Sequence, residues 1–209
     1  MRDQRGRGMD LPIEWAVAGR SLPGEGISGD LHVVALVPEG VLMAVVDGLG
    51  HGEDAAAAAG VVAGILRQHA AEALVPLVER CHEAALLTRG VVMTLARVCA
   101  RAQAVEWLGV GNVEGVLLRA DPAARPAREG VPVRGGVVGY ALPRLRASTV
   151  PLSPGDILIL VSDGIRSGFV EDLNPRDAPK RVAEEILARH ARDGDDALVL
   201  AARYRGDVP

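Results

Sequence analysis

The sequence is poor in aromatic residues and lacks long apolar runs. Phenylalanine, tyrosine and tryptophan make up 2% of its 209 residues, which argues against the stacking platforms that bind single-stranded nucleic acid. The net charge of −4, with no basic stripe beyond a short arginine-rich start, also argues against nucleic-acid binding. No segment reaches the roughly 18 apolar residues of a membrane-spanning helix, and no apolar segment follows the polar start as in a signal peptide.

Cysteine is also scarce. The two cysteines, Cys81 and Cys99, form no CxxC pattern, which predicts buried thiols in a reducing compartment. We therefore expect a cytoplasmic protein that binds neither membrane nor nucleic acid. Hydrophobic residues make up 49% of the chain, so Val, Leu, Ile and Ala must form the core. The length predicts one domain over residues 1–209, with residues 1–10 flexible.

Apolar patterns predict many strands, with helices grouped between them. Strands are predicted for "IEWAVAGR", "LHVVALV", "VLMAVVD", "DILILV" and "ALVLAARY", and "PEG" predicts a hairpin between the second and third. Three more strands are predicted within "VVMTLARVCARAQAVEWLGVGNVEGVLLR", and short ones at "GVVGY" and "LRASTVPLS". Helices are predicted from Glu53 to about Ala70, from Val75 to Arg89 and before "DGDD", and residues 121–134 are predicted to form an exposed loop. This order indicates an α+β sandwich of antiparallel sheets covered by helices.

Aspartates recur beside glycine at the ends of predicted strands. They are Asp30, Asp47, Asp163, Asp195 and Asp196. Each one alone is typical of an ordinary Asp-Gly turn. Strand ends of a sandwich can nevertheless meet at one edge, where these carboxylates would repel one another unless a cation neutralised them.

Oxygen ligands without a histidine or cysteine cluster favour Mg²⁺ or Mn²⁺ over zinc. Two such ions about 3.5–4 Å apart can activate one water for attack on phosphorus, and the Gly48 carbonyl can add a ligand because glycine allows close approach. The alternative is a dinucleotide fingerprint in "GLGHG", but its glycines follow GxGxG and not GxGxxG. The pattern therefore favours hydrolysis of a phosphate ester.

These segments together resemble the metal-dependent type-2C serine/threonine phosphatases. The similarity runs through "GEGISGD", "VVDGLGHG", "GVGNVEGVLLR", "GGVVGY", "LSPGDILILVSDGI" and "GDDALVL", and is greatest to the short bacterial branch that includes SpoIIE-like phosphatases and the stress-response regulator RsbX. The resemblance implies a four-layer αββα sandwich, with two antiparallel sheets flanked by helices. It also implies a site for two divalent cations, Mn²⁺ or Mg²⁺, at one end of the sandwich.

The resemblance also implies a role for each acidic residue. Asp47 would bridge both metals while Gly48 offers its carbonyl, and Asp163 and Asp195 would hold one ion. Asp30 would contribute from the other side through water. Asp47, Asp163 and Asp195 are thus the predicted catalytic residues, and Asp196 is expected to support its neighbour.

Four further positions near the predicted site are compared with the pattern of the family. Many type-2C enzymes have a histidine two residues after the bridging aspartate, where this chain has Leu49. His51 lies two residues later, and we expect it to cap the helix or contact a loop. Asn112 stands where larger relatives have an aspartate for a third ion. Arg20 is a candidate for binding the substrate phosphate, with a solvated surface arginine as the alternative.

The function implied by the resemblance is a protein serine/threonine phosphatase of the general stress response. The implied substrates are phosphorylated STAS-domain scaffold or antagonist proteins of the stressosome, similar to RsbS and RsbR. The alternative is a pseudophosphatase, which would bind a phosphoprotein without hydrolysing it.

Overall fold

The computed structural model describes residues 12–171 and 173–206, in which eleven strands and three helices are present. The first sheet has the spatial order β1 (Ile13–Arg20), β11 (Ala197–Tyr204), β10 (Ile157–Val161), β6 (Glu114–Leu118) and β7 (Arg128–Gly130). The second has the order β2 (Asp30–Val37), β3 (Gly40–Gly48), β4 (Val91–Cys99), β5 (Ala104–Val110) and β8 (Val133–Arg134), and β9 (Ser148–Pro151) also pairs with β5. The helices are α1 (Gly52–Gln68), α2 (Leu74–Ala85) and α3 (Pro179–His190).

The two sheets pack face to face between layers of helix. Helix α3 contacts β1 and β11 of the first sheet, and α1 and α2 contact the second. Apolar side chains of both sheets fill the space between them, among them Met43, Val45, Leu158 and Leu200. The predicted four-layer αββα sandwich is therefore confirmed.

Strand β3 has an uninterrupted apolar sequence because both of its faces are buried. Met43 and Val45 belong to the core between the sheets, whereas Ala44 and Val46 belong to the core under α1 and α2. Because successive side chains of a strand point to opposite faces, a strand covered on both faces is apolar at every position.

The prediction of an exposed loop over residues 121–134 is wrong in its second half. Strand β7 pairs with β6, and β8 then pairs in parallel with β5 of the other sheet. Val131 is buried where the chain crosses between the sheets, and Gly111 N donates to the Arg134 carbonyl at 2.8 Å. The sheets are therefore antiparallel except at this short pairing.

Two other predicted elements differ in extent. Helix α2 ends at Ala85, before the predicted Arg89, because the Ala85 carbonyl accepts hydrogen bonds from the backbone and hydroxyl of Thr88. The "GVVGY" segment forms isolated bridges, such as Val137 with Ala141, and no extended strand.

The cysteines differ in burial, and the helices are short. The Cys81 thiol is buried, which raises its pKa to about 12, whereas Cys99 is only half-buried. Among the helices that the structure describes, none is long and apolar enough to cross a membrane. The predicted flexibility of residues 1–10 concerns positions outside the described residues.

Candidate metal centre

The β2–β3 hairpin brings Asp30 and Asp47 together. The two residues are directly opposed in the register of the pair, which starts from Val37 opposite Gly40. A two-residue turn therefore sets the pairing along the whole hairpin. Paired residues project from the same face of a sheet, so the two carboxylates lie on the side that faces the other sheet.

Asp30 is 5% exposed and is held by a serine of the first sheet. Ser162 Oγ donates to Asp30 Oδ2 at 2.6 Å and accepts a hydrogen bond from Leu198 N at 2.9 Å. The pKa of Asp30 is raised to about 7, first by burial and then by the negative charges of Asp196, Asp163 and Asp195, against the effect of the Ser162 hydrogen bond. Buried carboxylates favour the neutral form because ionisation there costs hydration energy.

Asp47 meets Asp163, which follows β10 of the other sheet. Burial raises the pKa of Asp47 to about 9, and the neighbouring carboxylates Asp30, Asp163 and Asp195 raise it further, as does a side-chain hydrogen bond with Asp163. Asn112 Nδ2 donates to Asp163 Oδ2 at 2.7 Å. A protonated Asp47 can donate to the neighbouring carboxylate, whereas two ionised carboxylates in contact would repel each other.

Asp195 and Asp196 differ in role although they are adjacent. Asp195 Oδ1 accepts from its neighbour's backbone N–H at 2.9 Å, and its pKa is raised by burial and by the charge of Asp163. The buried carboxylate of Asp196 accepts from Leu22 N and from Gly29 N, each at 2.7 Å. Asp196 therefore fastens the loop that leads to Asp30, while Asp195 remains available to a ligand.

Gly48 ends β3 where α1 crosses it. A Cβ atom at this position would lie 2.1 Å from the Ala55 carbonyl oxygen of α1, a distance that no side chain tolerates. Gly48 N also donates to the Gly29 carbonyl at 3.1 Å. Glycine at position 48 therefore lets the strand end, the loop before β2 and the first turn of α1 meet beside Asp47.

The acidic groups suit a hydrated cation. Within residues 12–171 and 173–206, no group of three or more His, Cys, Asp or Glu side chains is placed so that it could hold a metal ion by itself. The carboxylates meet in pairs, Asp30 with Asp47 and Asp47 with Asp163. Magnesium keeps several of its waters and commonly takes only one or two carboxylates, so pairs of this kind fit it, and by size and hardness Mn²⁺ also fits.

The charge balance gives a second reason why a cation fits. Every neighbouring group that shifts the pKa of Asp47 is itself an aspartate. Buried negative charge is costly unless it is paired with positive charge or protonated. A divalent cation would supply that positive charge, with Asp47, Asp163, Asp195, Asp30 and the Gly48 carbonyl as its prospective ligands.

His51 and Leu49 lie beside this cluster. His51 is the residue before α1, makes no side-chain cap, and places Nδ1 2.8 Å from Glu25 Oε1. It thus makes the expected loop contact, with its side chain 61% exposed. Leu49 N donates to the Gly90 carbonyl at 3.1 Å.

Arg20 is directed to the turn before β11. Its Nη2 donates to the Arg192 carbonyl at 2.5 Å and lies 3.5 Å from Asp193 Oδ1. Phosphate binding by Arg20, like the metal-ligand roles of the aspartates and of Gly48, stays a prediction.

An open cleft of about 300 Å³ adjoins the aspartates. Its lining residues are Asn112, Glu114, Val161, Ser162, Asp163, Ile165, Ser167, Arg192 and Asp195. A larger cavity of about 390 Å³ lies beside β7 and is lined by none of the five aspartates described above, so the smaller cleft is the better candidate for chemistry. Ser162 and Arg192 were not predicted as site residues. The sequence indicates them only by their positions next to Asp163 and shortly before Asp195.

Two facing sheets between helical layers, with acidic strand ends at one edge, define the fold of type-2C protein phosphatases. One chain of known structure is 28% identical, with a TM-score of 0.82 over 91% of this chain and 99% of that one. Its structure is described as "The bacterial stressosome: a modular system that has been adapted to control secondary messenger signaling". RsbX in complex with magnesium is 22% identical, with a TM-score of 0.76 over 91% and 94%. The SiaA-PP2C domain of Pseudomonas aeruginosa is 19% identical, with a TM-score of 0.71 over 92% and 85%.

The sequence model of the family described as Stage II sporulation protein E (SpoIIE) matches residues 38–205. The chain belongs to the SpoIIE family. A search of curated proteins finds no match. At 22% identity the likeness to RsbX shows the fold alone, so a particular nearness to RsbX remains a prediction.

Proposed function

We propose that the protein is a metal-dependent protein phosphatase that hydrolyses phosphoserine and phosphothreonine in the cytoplasm. The observation that carries the proposal is the pairing of Asp47 with Asp163 across the two sheets, with Asp30 and Asp195 beside them. Such a cluster of like charges is costly to keep at a strand end unless it binds cations. Membership of the SpoIIE family supports the same conclusion.

Two Mg²⁺ or Mn²⁺ ions, when bound, supply a water of lowered pKa and neutralise charge on the phosphoryl oxygens. Asp47 would hold both ions, Asp163 and Asp195 would hold one of them, and Asp30 would act through water. Asn112 orients the Asp163 carboxylate by its hydrogen bond. No residue of the chain is required as a nucleophile, so no phosphoenzyme is expected.

The proposed substrates are phosphorylated STAS-domain scaffold or antagonist proteins of a stressosome, similar to RsbS and RsbR. Their dephosphorylation would reset a stress-signalling pathway. Support comes from the 28% identity to a chain of a structure described as the bacterial stressosome. The similarity to RsbX in complex with magnesium supports Mg²⁺ as a cofactor, and Mn²⁺ is proposed beside it because its size and hardness are similar.

The test is hydrolysis of p-nitrophenyl phosphate by the purified chain with Mn²⁺, with Mg²⁺ and with EDTA. We expect metal-dependent turnover that Asp47→Asn and Asp163→Asn reduce at least about a hundredfold, as for loss of an essential electrostatic group. Asp121→Asn is the matched control, since this aspartate is exposed, its carboxylate accepts from the nearby Ala123 N, and it does not line the cleft.

Incubation with a phosphorylated STAS-domain protein, followed by mass spectrometry, tests the substrate. Loss of about 80 Da per phosphosite, the mass of HPO₃, with wild-type protein but not with Asp47→Asn would support the proposal. Binding of the phosphoprotein without mass loss, and without turnover of the small ester, would instead identify a pseudophosphatase.

A further inference from the structure

The turn before β11 carries an arginine, Arg192, at the edge of the acidic cleft. Its backbone N–H donates to the Gly164 carbonyl at 2.8 Å. This hydrogen bond holds the turn close to the end of β10. Arg192 lines the cleft together with Asp163 and Asp195. Arg192 therefore adds a positively charged residue to a cleft that is otherwise acidic.

The N–H groups of the Arg192 guanidinium are available as hydrogen-bond donors. Of the described residues that line the cleft, Arg192 is the one with a cationic side chain. Its guanidinium donates no hydrogen bond to any residue in the ranges 12–171 and 173–206. An arginine offers five N–H donors in a planar fork that matches two oxygens of a phosphate group. The cleft thus combines prospective cation ligands with a guanidinium whose donors are available to an anion.

Arg20 is placed differently. It is the last residue of β1, its guanidinium bonds the Arg192 carbonyl and reaches Asp193, and it does not line the cleft. A guanidinium committed to a backbone carbonyl has fewer donors left for a substrate. The same bond fixes the backbone from which the Arg192 side chain extends.

We infer that Arg192 binds the phosphate group of the substrate and that Arg20 is a positioning residue, which holds the Arg192 turn in place. Asn112 and Ser167 line the same cleft and offer neutral donors to the remaining phosphate oxygens. This inference rests on the proposed function, since it assigns the substrate group of the same site.

The experiment compares Arg192→Ala, Arg192→Lys, Arg20→Gln and the Arg20→Gln/Arg192→Ala double variant, all loaded with Mn²⁺. The Kd for inorganic phosphate is measured by calorimetry, and KM and kcat are measured with p-nitrophenyl phosphate. Arg166→Ala is the matched control, because Arg166 is exposed in the neighbouring turn, carries the same charge and does not line the cleft. Circular dichroism and melting temperature report whether each variant folds, and Arg20→Lys replaces Arg20→Gln if the latter does not.

We expect Arg192→Ala to weaken phosphate binding and to raise KM at least about tenfold, with a smaller change in kcat, as for loss of a charge-assisted hydrogen bond. Arg192→Lys should lie between wild type and Arg192→Ala, because lysine keeps the charge but not the planar fork. Arg20→Gln alone should weaken phosphate binding by a few-fold, and it should add nothing in the Arg192→Ala background, since its effect passes through Arg192. Arg166→Ala should stay within about twofold of wild type.

Three results would overturn the inference. They are unchanged phosphate affinity in Arg192→Ala, a full and independent loss in Arg20→Gln, and no phosphate binding by the wild-type protein. An active enzyme whose Arg192→Ala variant binds phosphate normally would leave the proposed function standing. An inactive wild type that still binds phosphate through Arg192 would remove the proposed function and keep this inference.

Discussion

Ser162 and Asp30 connect the two sheets at the centre of the candidate site. Ser162 Oγ donates to Asp30 Oδ2 at 2.6 Å, although 132 positions separate the two residues in sequence. The same hydroxyl accepts from Leu198 N, so one buried side chain satisfies a carboxylate and a backbone donor. This bond favours the ionised form of Asp30, against burial and the surrounding negative charges.

Ser162→Ala should therefore destabilise the protein and weaken its metal binding. The variant leaves Leu198 N and the Asp30 carboxyl without a partner, which costs about 1–3 kcal/mol per buried group. Urea denaturation in EDTA measures the loss of stability, and calorimetry with Mn²⁺ measures the affinity. Ser167→Ala is the control, because Ser167 is exposed in the same cleft, and equal stability of the two variants would contradict the prediction.

The metal-free protein should lose stability as the pH rises from about 4 towards 9. The folded-state pKa values of Asp30 and Asp47 are raised to about 7 and about 9, whereas aspartates of an unfolded chain ionise near pH 4. Between these values the folded chain keeps protons that the unfolded chain has released, so a rise in pH favours unfolding.

The expected slope is on the order of 1 kcal/mol per pH unit for each group that stays protonated. Denaturant titrations at several pH values in EDTA measure it. Saturating Mg²⁺ should flatten the curve, because a bound cation stabilises both carboxylates in their ionised form. A metal-free protein with constant stability from pH 5 to pH 8 would show that these carboxyl groups are not protonated in the fold.

Asp47→Asn should abolish turnover and yet stabilise the metal-free protein near neutral pH. The amide is neutral in both the folded and the unfolded chain, whereas wild-type Asp47 must take up a proton on folding because it ionises near pH 4 when unfolded. A gain of about 1 kcal/mol would raise the melting temperature by roughly 2–4 °C. Calorimetric scans in EDTA, with Asp121→Asn alongside, measure the change, and a lower melting temperature for Asp47→Asn alone would count against this assignment of charge.

Gly48→Ala should destabilise the protein and reduce its activity at least about tenfold. The new methyl group would meet the Ala55 carbonyl, so α1 or the end of β3 must shift, at a cost of about 1–3 kcal/mol. Gly60→Ala is the matched control in α1, since nothing lies within 4 Å of the added carbon. This second variant should be about 0.5–1 kcal/mol more stable than wild type, and equal effects of the two substitutions would refute the steric argument.

The acidic part of the site could be predicted because its signal is local. Asp47 and Asp163 each end an apolar strand beside a glycine, and strand ends of a sandwich meet at an edge. Ser162 and Arg192 gave no such signal. A serine in "LVSDG" indicates only a polar residue near a turn, and its partner Asp30 lies in a distant segment that only the folded chain brings close.

The fold was predictable for the same reason, except where long-range pairing decides it. The apolar runs of β3 and β10 determine their conformation locally. Strand β8 has two residues, and its parallel pairing with β5 depends on the chain crossing from one sheet to the other. Neither its length nor its composition gives a periodic pattern.

The two-residue turn between Val37 and Gly40 makes the site sensitive to chain length. One residue inserted within either strand, between this turn and the aspartate, would slip the register by one, and the side chains beyond it would turn to the opposite face. Asp30 and Asp47 would then no longer share a surface, although neither had been mutated. A library of single-residue insertions across this hairpin should therefore lose activity as completely as a substitution of Asp47, and the spacing between the two aspartates can serve as a filter when other sequences are searched for the same centre.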